Sequence, residues 1–200
     1  MRSISSLVVV IGLVVATTAC SDQPQPAQVV DAEFARLVED SVAQARAYGG
    51  SDEQIQILEA ALETGQITFD VYNAAVDRAL RCMREAGLRV GEDDVVEYRG
   101  IMQRIYGYEA RRNVELPGET DVDPCLATHS HWVEMVYQLQ PSSVEANMLH
   151  FEQYRDALVE CLTDAGIAVD PDMTKDEIDG AIVEALEEGA DCLEATGYHG

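Results

Sequence analysis

The 200-residue sequence predicts a mainly helical fold of two disulfide-linked halves, with a small β insertion in the first half. The first reason is a repeat: residues 82–90 (CMREAGLRV) match residues 161–169 (CLTDAGIAV), and residues 192–197 (CLEATG) echo them weakly. Each copy has the pattern of a helix that carries a cysteine and ends at a glycine, which adopts the left-handed conformation easily. The second reason is the helical spacing of apolar residues along most of the chain. The third is a segment at 88–113 that is rich in β-branched and aromatic residues.

Three helices are predicted before that segment. The first covers residues 29–48 and ends at two glycines. The second begins at Ser51, which forms a capping-box pattern with Gln54, and it ends at Gly65. The third begins after Thr68 and runs over residues 69–86, with a buried stripe at Tyr72, Val76, Ala79, Cys82 or Met83, and Ala86. Small residues beside Cys82 would let another helix approach closely.

The β insertion is predicted at residues 88–113, as one or two strands. A helix over residues 95–110 is the alternative. Glycines at 100 and 107 count against that helix, because each disfavours it by about 1 kcal/mol relative to alanine. Residues 116–122 have a loop composition.

Three further helices are predicted after the insertion. Asp123 and Pro124 begin the first, which places Cys125, His129, Trp132, Val136 and Leu139 on one face and ends at Pro141. A second capping box at residues 142–145 opens a helix that runs to Ala165, with its buried side at Val144, Met148, Phe151, Leu158, Cys161 and Ala165. A third box at residues 174–177 opens a helix that extends through Cys192. These elements divide the chain into residues 30–141 and 142–200, as one domain or as two packed subdomains.

The N-terminus has the pattern of a targeting signal. Arg2 supplies a positive charge, and residues 7–16 form an apolar run that is too short to span a bilayer. Thr18, Ala19 and Cys20 then resemble the lipobox of bacterial lipoprotein precursors, although Thr17 stands where leucine is usual. The resemblance implies cleavage between Ala19 and Cys20, removal of residues 1–19 as a signal peptide, lipidation of Cys20, and a flexible polar tether at 20–29. The alternative is an ordinary secretory signal.

Four cysteines remain once Cys20 is set aside. An even number of cysteines in an exported chain indicates disulfides. Each repeat copy is followed by one more cysteine-bearing helix, so the sequence predicts the bonds Cys82–Cys125 and Cys161–Cys192. Both bonds would link neighbouring helices within one half of the chain.

Composition argues against several classes of function. The formal net charge of −24 disfavours nucleic acid as a partner, because a phosphate backbone is also negative. The sequence holds no P-loop, no HExxH, no GxSxG and no Rossmann glycine motif. His129 and His131 are two residues apart on a predicted helix and so cannot chelate one metal together. The loop at 170–181 lacks the glycine and glutamate of an EF-hand. We therefore predict no metal, no cofactor and no catalytic residue.

Residues 50–138 resemble a module of uncharacterised actinobacterial secreted lipoproteins. The matching features are residues 51–54, Leu58, Gly65 with residues 67–69, Tyr72, Ala75 with Val76, Cys82 with Ala86 and Gly87, Pro124 with Cys125, and Tyr137 with Gln138. The resemblance implies an extracytoplasmic, lipid-anchored protein at the cell membrane, and it supplies no catalytic residues. The absence of a nucleophile, metal or phosphate motif favours a non-catalytic binding or interaction module with a protein or cell-wall partner. The alternative is a cell-wall-acting hydrolase with an unrecognised site.

The predicted interface lies in the β insertion, because only the first half carries it and it holds many of the chain's basic residues. Tyrosine and arginine are enriched at protein interfaces. The candidate residues are Tyr98, Arg99, Arg104, Tyr106, Tyr108 and Arg111. The alternative is that the tyrosines pack onto the helices while the arginines pair with nearby acids.

Overall fold

Two hydrophobic cores organise the chain, and each is bordered by one of two disulfides. The structure is a computed structural model that describes residues 31–109 and 122–198. Within those ranges it contains eight α-helices and one two-stranded antiparallel sheet. The predicted fold class, mainly helical with two disulfide-linked halves and a small β insertion in the first, is confirmed.

The first half forms the larger core. Its elements are α1 (Ala32–Ala47), α2 (Asp52–Thr64), α3 (Phe69–Glu85), β1 (Val90–Tyr98), β2 (Ile101–Tyr108), α4 (Pro124–His129) and α5 (His131–Leu139). Helix α3 lies at the centre of this core, because its residues Tyr72, Val76, Leu80 and Met83 are fully buried. Ser51 and Thr68 cap α2 and α3 through hydrogen bonds from backbone N–H groups, as the sequence predicts.

The second half is smaller and depends on one long helix. Its elements are α6 (Pro141–Asp164), α7 (Lys175–Glu187) and α8 (Cys192–Thr196). Phe151, Leu158 and Leu162 on α6 are completely buried against α7 and α8. The N-terminal end of α6 instead contacts α5 and β2, so this helix spans both halves.

The repeated sequence has the same local geometry in both copies. Gly87 and Gly166 have φ values of 79° and 82°, in the left-handed region. In each copy, the backbone N–H of the residue after the glycine donates a hydrogen bond to a carbonyl in the last turn of the helix. Leu88 donates to Met83 at 2.9 Å, and Ile167 donates to Leu162 at 3.0 Å. This hydrogen-bond pattern is the Schellman motif, so the repeat encodes a helix end.

Both predicted disulfides are present. Cys82–Cys125 joins α3 to α4, and Cys161–Cys192 joins α6 to α8, with Cα–Cα distances of 5.6 and 5.7 Å. Disulfides persist in oxidising compartments and are rare in the cytosol, so these bonds indicate an extracytoplasmic location. None of the helices in the described ranges is long and apolar enough to cross a membrane.

The single helix predicted from Asp123 to Leu139 is wrong, because the chain breaks at Ser130. Ser130 has φ −138° and ψ −32°, and it separates α4 from α5. Its hydroxyl donates a hydrogen bond to the Glu134 carboxylate in the first turn of α5 at 2.6 Å. The predicted buried face is also wrong at Leu139, which lies at the end of α5 and is 53% exposed.

The second predicted capping box, at residues 142–145, is also wrong. Helix α6 begins at Pro141, which occupies a first-turn position where a missing N–H has no consequence. Ser142, the predicted N-cap, therefore lies inside the first turn, and no side chain caps the start of α6. The buried side predicted for this helix is wrong at Val144 and Met148, because they precede the point where α7 and α8 cover α6, and both are exposed.

Two other predicted features are only partly correct. The capping box at Ser51 is half formed, because the Gln54 side chain is buried and bonds to the Ala127 and Thr128 carbonyls. The box at Thr174 and Glu177 is complete, but its helix ends at Glu187. Cys192 lies on the separate helix α8, since Gly189 takes a positive φ of 88° between them.

Candidate functional site

The β insertion is a hairpin that lies across α3, α5 and α6. Strands β1 and β2 pair in antiparallel register from Tyr98 opposite Ile101 to Asp93 opposite Tyr106, and the register shifts before Val90 opposite Tyr108. The prediction of strands is therefore confirmed, and the alternative of a helix is wrong. The strands are joined by Arg99 and Gly100, which both have positive φ, at 52° and 75°. Positive φ at both loop residues is the pattern of a type I′ turn, which matches the twist of the strands.

Gly100 anchors the tip of the hairpin to α6. A Cβ atom at this position would lie 2.9 Å from the Ala146 carbonyl oxygen, a backbone atom that cannot rotate away. The neighbouring Ile101 is buried in the first core. The tip is thus fixed by a close backbone approach that only glycine permits.

Arg104 fixes the middle of the hairpin to α3. Its side chain is 12% exposed and pairs with Asp93 on β1 and with Asp77 on α3, the latter at 3.0 Å. It also donates to the Asn73 side chain. The hydrogen bond from Arg104 holds the pKa of the Asp93 carboxyl below its usual range, and Arg84 contributes in the same direction. These contacts are charge-assisted hydrogen bonds, which are stronger than neutral ones.

Two stacked tyrosines cover the outer edge of β2. The rings of Tyr72 and Tyr137 are 4.4 Å apart and nearly parallel, at 2°. The Arg104 backbone N–H donates to the Tyr72 hydroxyl at 3.0 Å, and the Tyr137 hydroxyl donates to the Met102 carbonyl at 2.9 Å. Burial raises the pKa of Tyr72 to about 12, so the hydroxyl stays protonated. The two tyrosine hydroxyls therefore pair with the β2 backbone groups that a neighbouring strand would otherwise bond.

A carboxyl group lies under the base of the hairpin. The Tyr106 hydroxyl is 3.1 Å from both carboxyl oxygens of Glu134, and the Ser130 hydroxyl is 2.6 Å from one of them. Burial raises the pKa of Glu134, although both hydrogen bonds act in the opposite direction. Burial, followed by the nearby Glu134, also raises the pKa of Tyr106. Glu134 thus links β2 to the break between α4 and α5.

The structure uses several of the predicted interface residues to hold the hairpin. Arg104 and Tyr106 face the helices, as the alternative left open by the sequence states. Tyr98 and Arg99 lie at the tip, where the guanidinium is 5.1 Å from the tyrosine ring centre. Tyr108 is half-buried at the base. Arg111 lies outside the described residues.

The exposed residues of the hairpin are apolar and acidic instead. Val95, Met102 and Ile105 are 45%, 39% and 47% exposed. Exposed acids accompany them at Glu92, Asp94 and Glu97. The sequence analysis missed this surface because it selected residues by type and could not assign them to a face. The mixture of acids and adjacent valines in residues 92–97 (EDDVVE) was the available signal.

Two surface grooves lie away from the hairpin. A groove of about 380 Å³ between α2 and α3 is lined by polar residues and by apolar ones that include Ile57, Ile67 and Val71. A second of about 590 Å³ lies beside the start of α1 and includes Leu37 and Val144. Glu134 lines neither groove.

The histidines and acids do not assemble a metal site in residues 31–109 and 122–198. No group of three or more His, Cys, Asp or Glu side chains could hold an ion there. His129 and His131 fall on different helices, α4 and α5. Burial lowers the pKa of both imidazoles, and for His129 the nearby Arg78 adds to the effect.

Comparisons with known proteins do not assign a family. No protein-family profile, curated protein or solved structure matches this chain. The functional argument therefore rests on the residues and geometry described above.

Proposed function

We propose that this chain is a lipid-anchored binding protein of the bacterial cell envelope, which contacts a partner through the hairpin β1–β2. The resemblance at Thr18, Ala19 and Cys20 to the lipoprotein signal supports the anchor, and residues 20–29 would serve as its tether. The two disulfides support an extracytoplasmic position. The resemblance of residues 50–138 to actinobacterial secreted lipoproteins supports the same location.

The main support for a binding role is that the hairpin is fixed to the helices while some of its apolar residues stay exposed. A two-stranded hairpin is marginally stable alone, so it needs contacts to other elements. Here Arg104, Tyr106 and Gly100 fix its inner side to three different helices. Val95 on β1 and Ile105 on β2 nevertheless remain about half exposed. A rigid element that presents exposed apolar residues is typical of a binding surface, because little conformational entropy is lost on binding.

A cell-wall-acting hydrolase is the alternative function, and Glu134 is the residue that favours it. A carboxyl with a raised pKa is a candidate general acid. However, both of its oxygens are engaged by Ser130 and Tyr106, and it lies under the hairpin rather than in a groove. Turnover of a wall substrate that is lost in Glu134→Gln would favour the hydrolase over the binding protein.

Photo-crosslinking in the producing cells tests the role of the hairpin. A photo-reactive amino acid at Val95 or Ile105 should give a discrete crosslinked partner, because both side chains face solvent on the hairpin. The matched control is Val183 on α7, which is 58% exposed and distant in sequence from the hairpin. Equal crosslinking from Val183, or none from the hairpin, would contradict the proposal.

Cell fractionation tests the anchor. Cys20→Ser removes the atom that would carry lipid, so the protein should leave the membrane fraction or remain as the unprocessed precursor. Cys20 is the suitable target because the other cysteines form disulfides. A Cys20→Ser protein that fractionates with the membrane as before would show that the anchor is wrong.

A further inference from the structure

The two outer edges of the hairpin differ in their backbone contacts. On β2, the N–H of Arg104 and the C=O of Met102 point away from β1 and bond to the tyrosine pair. Arg104 lies opposite Val95, and Met102 lies opposite Glu97. In an antiparallel ladder, residues opposite each other either both bond across the pair or both point outward. The outward backbone groups of β1 are therefore those of Asp93, Val95 and Glu97.

No described residue bonds to these outward groups of β1. They leave an unpaired edge along the regular part of the strand, from Asp93 onward, because the register shifts before that point. An unpaired edge strand is a template to which an extended segment can add as a further strand. The helices already cover the other edge, so only β1 offers this position.

Charge decides which segment fits. Glu92, Asp94 and Glu97 are exposed, and none of them forms an ion pair within the described residues. Asp93 differs, because Arg104 and Arg84 neutralise it. A second copy of this chain would place the same acids beside one another, and like charges on paired strands are unfavourable. A segment with lysine or arginine would pair favourably with them.

We propose that the outer edge of β1 binds an extended basic segment of a partner protein by strand addition, with main-chain bonds to Asp93, Val95 and Glu97. This inference rests on the proposed role of the hairpin as the binding element and specifies its partner. The main-chain bonds supply the pairing. The free carboxylates of Glu92, Asp94 and Glu97 select a basic partner, and exposed Val95 contacts its aliphatic side chains.

The probe is a short synthetic peptide that alternates lysine and valine. Its control is the same peptide with every backbone amide methylated, which keeps the charge and side chains but removes the donors. Hydrogen exchange should slow at the amides of Asp93, Val95 and Glu97 when the first peptide is added. The amides of Asp94 and Val96, which already bond within the hairpin, serve as internal references. The methylated peptide should bind at least tenfold more weakly.

A substitution on the protein tests the same bonds. Val95→Pro removes one outward N–H, and proline is tolerated on an edge strand where no ladder bond is lost. It should weaken peptide binding about tenfold, whereas the control Val95→Thr, which keeps the N–H, should bind as the unmodified chain does. Unchanged protection of Asp94 and Val96 in the proline variant verifies that the hairpin is intact.

The remaining outcomes overturn this inference and identify the reason. Equal binding of both peptides means that only charge attraction operates. Protection of Val95 that rises with protein concentration means that a second copy fills the edge. Concentration-independent protection without peptide means that residues 110–121 of the same chain fill it. If any of these holds while Val95 and Ile105 still give a crosslinked partner, strand addition fails and the proposed binding role survives.

Discussion

Single buried amide side chains connect parts of this chain that are far apart in sequence. The Gln54 amide donates to the Ala127 and Thr128 carbonyls at 2.8 and 2.9 Å and accepts the Trp132 N–H at 3.0 Å. It thereby satisfies the backbone groups that the break at Ser130 leaves without helical partners. Gln140 bonds to both the N–H and the C=O of Ile67 in the same way. Such residues fix irregular backbone inside the core, where an unpaired polar group would be costly.

Glu134 makes the stability of the protein depend on pH. Its raised pKa means that the folded protein keeps a proton which the unfolded chain, with an ordinary glutamate near pH 4.5, has already released. The free energy of unfolding therefore decreases as the pH rises from about 4.5 through the folded pKa. Glu134→Gln has no proton to lose. We expect its stability, relative to the wild-type protein, to increase over that window and then to remain constant.

Urea unfolding at a series of pH values measures this difference. Asp93 contributes the opposite trend, because its lowered pKa gives stability that is lost as the pH falls below about 3.8, but that term is common to both proteins. Glu145→Gln on the exposed surface of α6 is the control for net charge. A difference between Glu134→Gln and the wild-type protein that is flat with pH, or that decreases as the pH rises, would contradict the expectation.

At the scale of the element, the tip of the hairpin depends on the close approach of Gly100 to α6. Gly100→Ala should destabilise the protein by about 2 kcal/mol, because a left-handed alanine costs roughly 1–2 kcal/mol and its Cβ would also meet the Ala146 carbonyl. Gly107→Ala on strand β2 is the control, since nothing lies within 4 Å of its added Cβ. Thermal unfolding of both variants makes the comparison. Equal stability of the two variants would show that the tip is not held by this contact.

The sequence predicts elements with local signals well and elements with distant partners poorly. Capping residues such as Thr68 and the repeated glycines act within one turn, so the helices they bound are confirmed. The break at Ser130 depends on Gln54, more than 70 residues away, which no local pattern reveals. The exposed apolar residues on α6, such as Met148, are a second example. Helical spacing shows which residues share a face, but it does not show how much of that face another element covers.

For the candidate site, the sequence predicted the strands but not the orientation of their residues. Residue types led to a predicted interface in the β insertion, yet Arg104 and Tyr106 lie two residues apart on one strand and therefore share a face. That face packs against α3 and α5. Choosing between the faces required the positions of Asp77 and Glu134, which belong to helices on either side of the insertion in sequence.

At the scale of the molecule, the described residues form two separate cores, and α6 reaches both, because its Ala146 packs against the first core. Phe151, Leu158 and Cys192 belong to the second core, whereas the first core takes its residues from Phe34 to Tyr137. Regions with separate cores open as separate cooperative units. The second unit is small, so its stability depends strongly on the bond Cys161–Cys192.

Removing that disulfide should therefore loosen one half of the protein and spare the other. The double variant Cys161→Ala with Cys192→Ala leaves no free thiol, and the bond closes a loop whose ends are 31 residues apart. Loss of such a bond should destabilise the second half by about 3–4 kcal/mol in the chain-entropy model. Hydrogen exchange should then become faster throughout α7 and α8 but not in α3, because Met83 and its neighbours pack in the other core.

The hairpin should keep its partner in this variant, since Arg104 and Glu134 hold it to the first half. Faster exchange of equal size in both halves would instead mean that α6 couples the two cores into one cooperative unit.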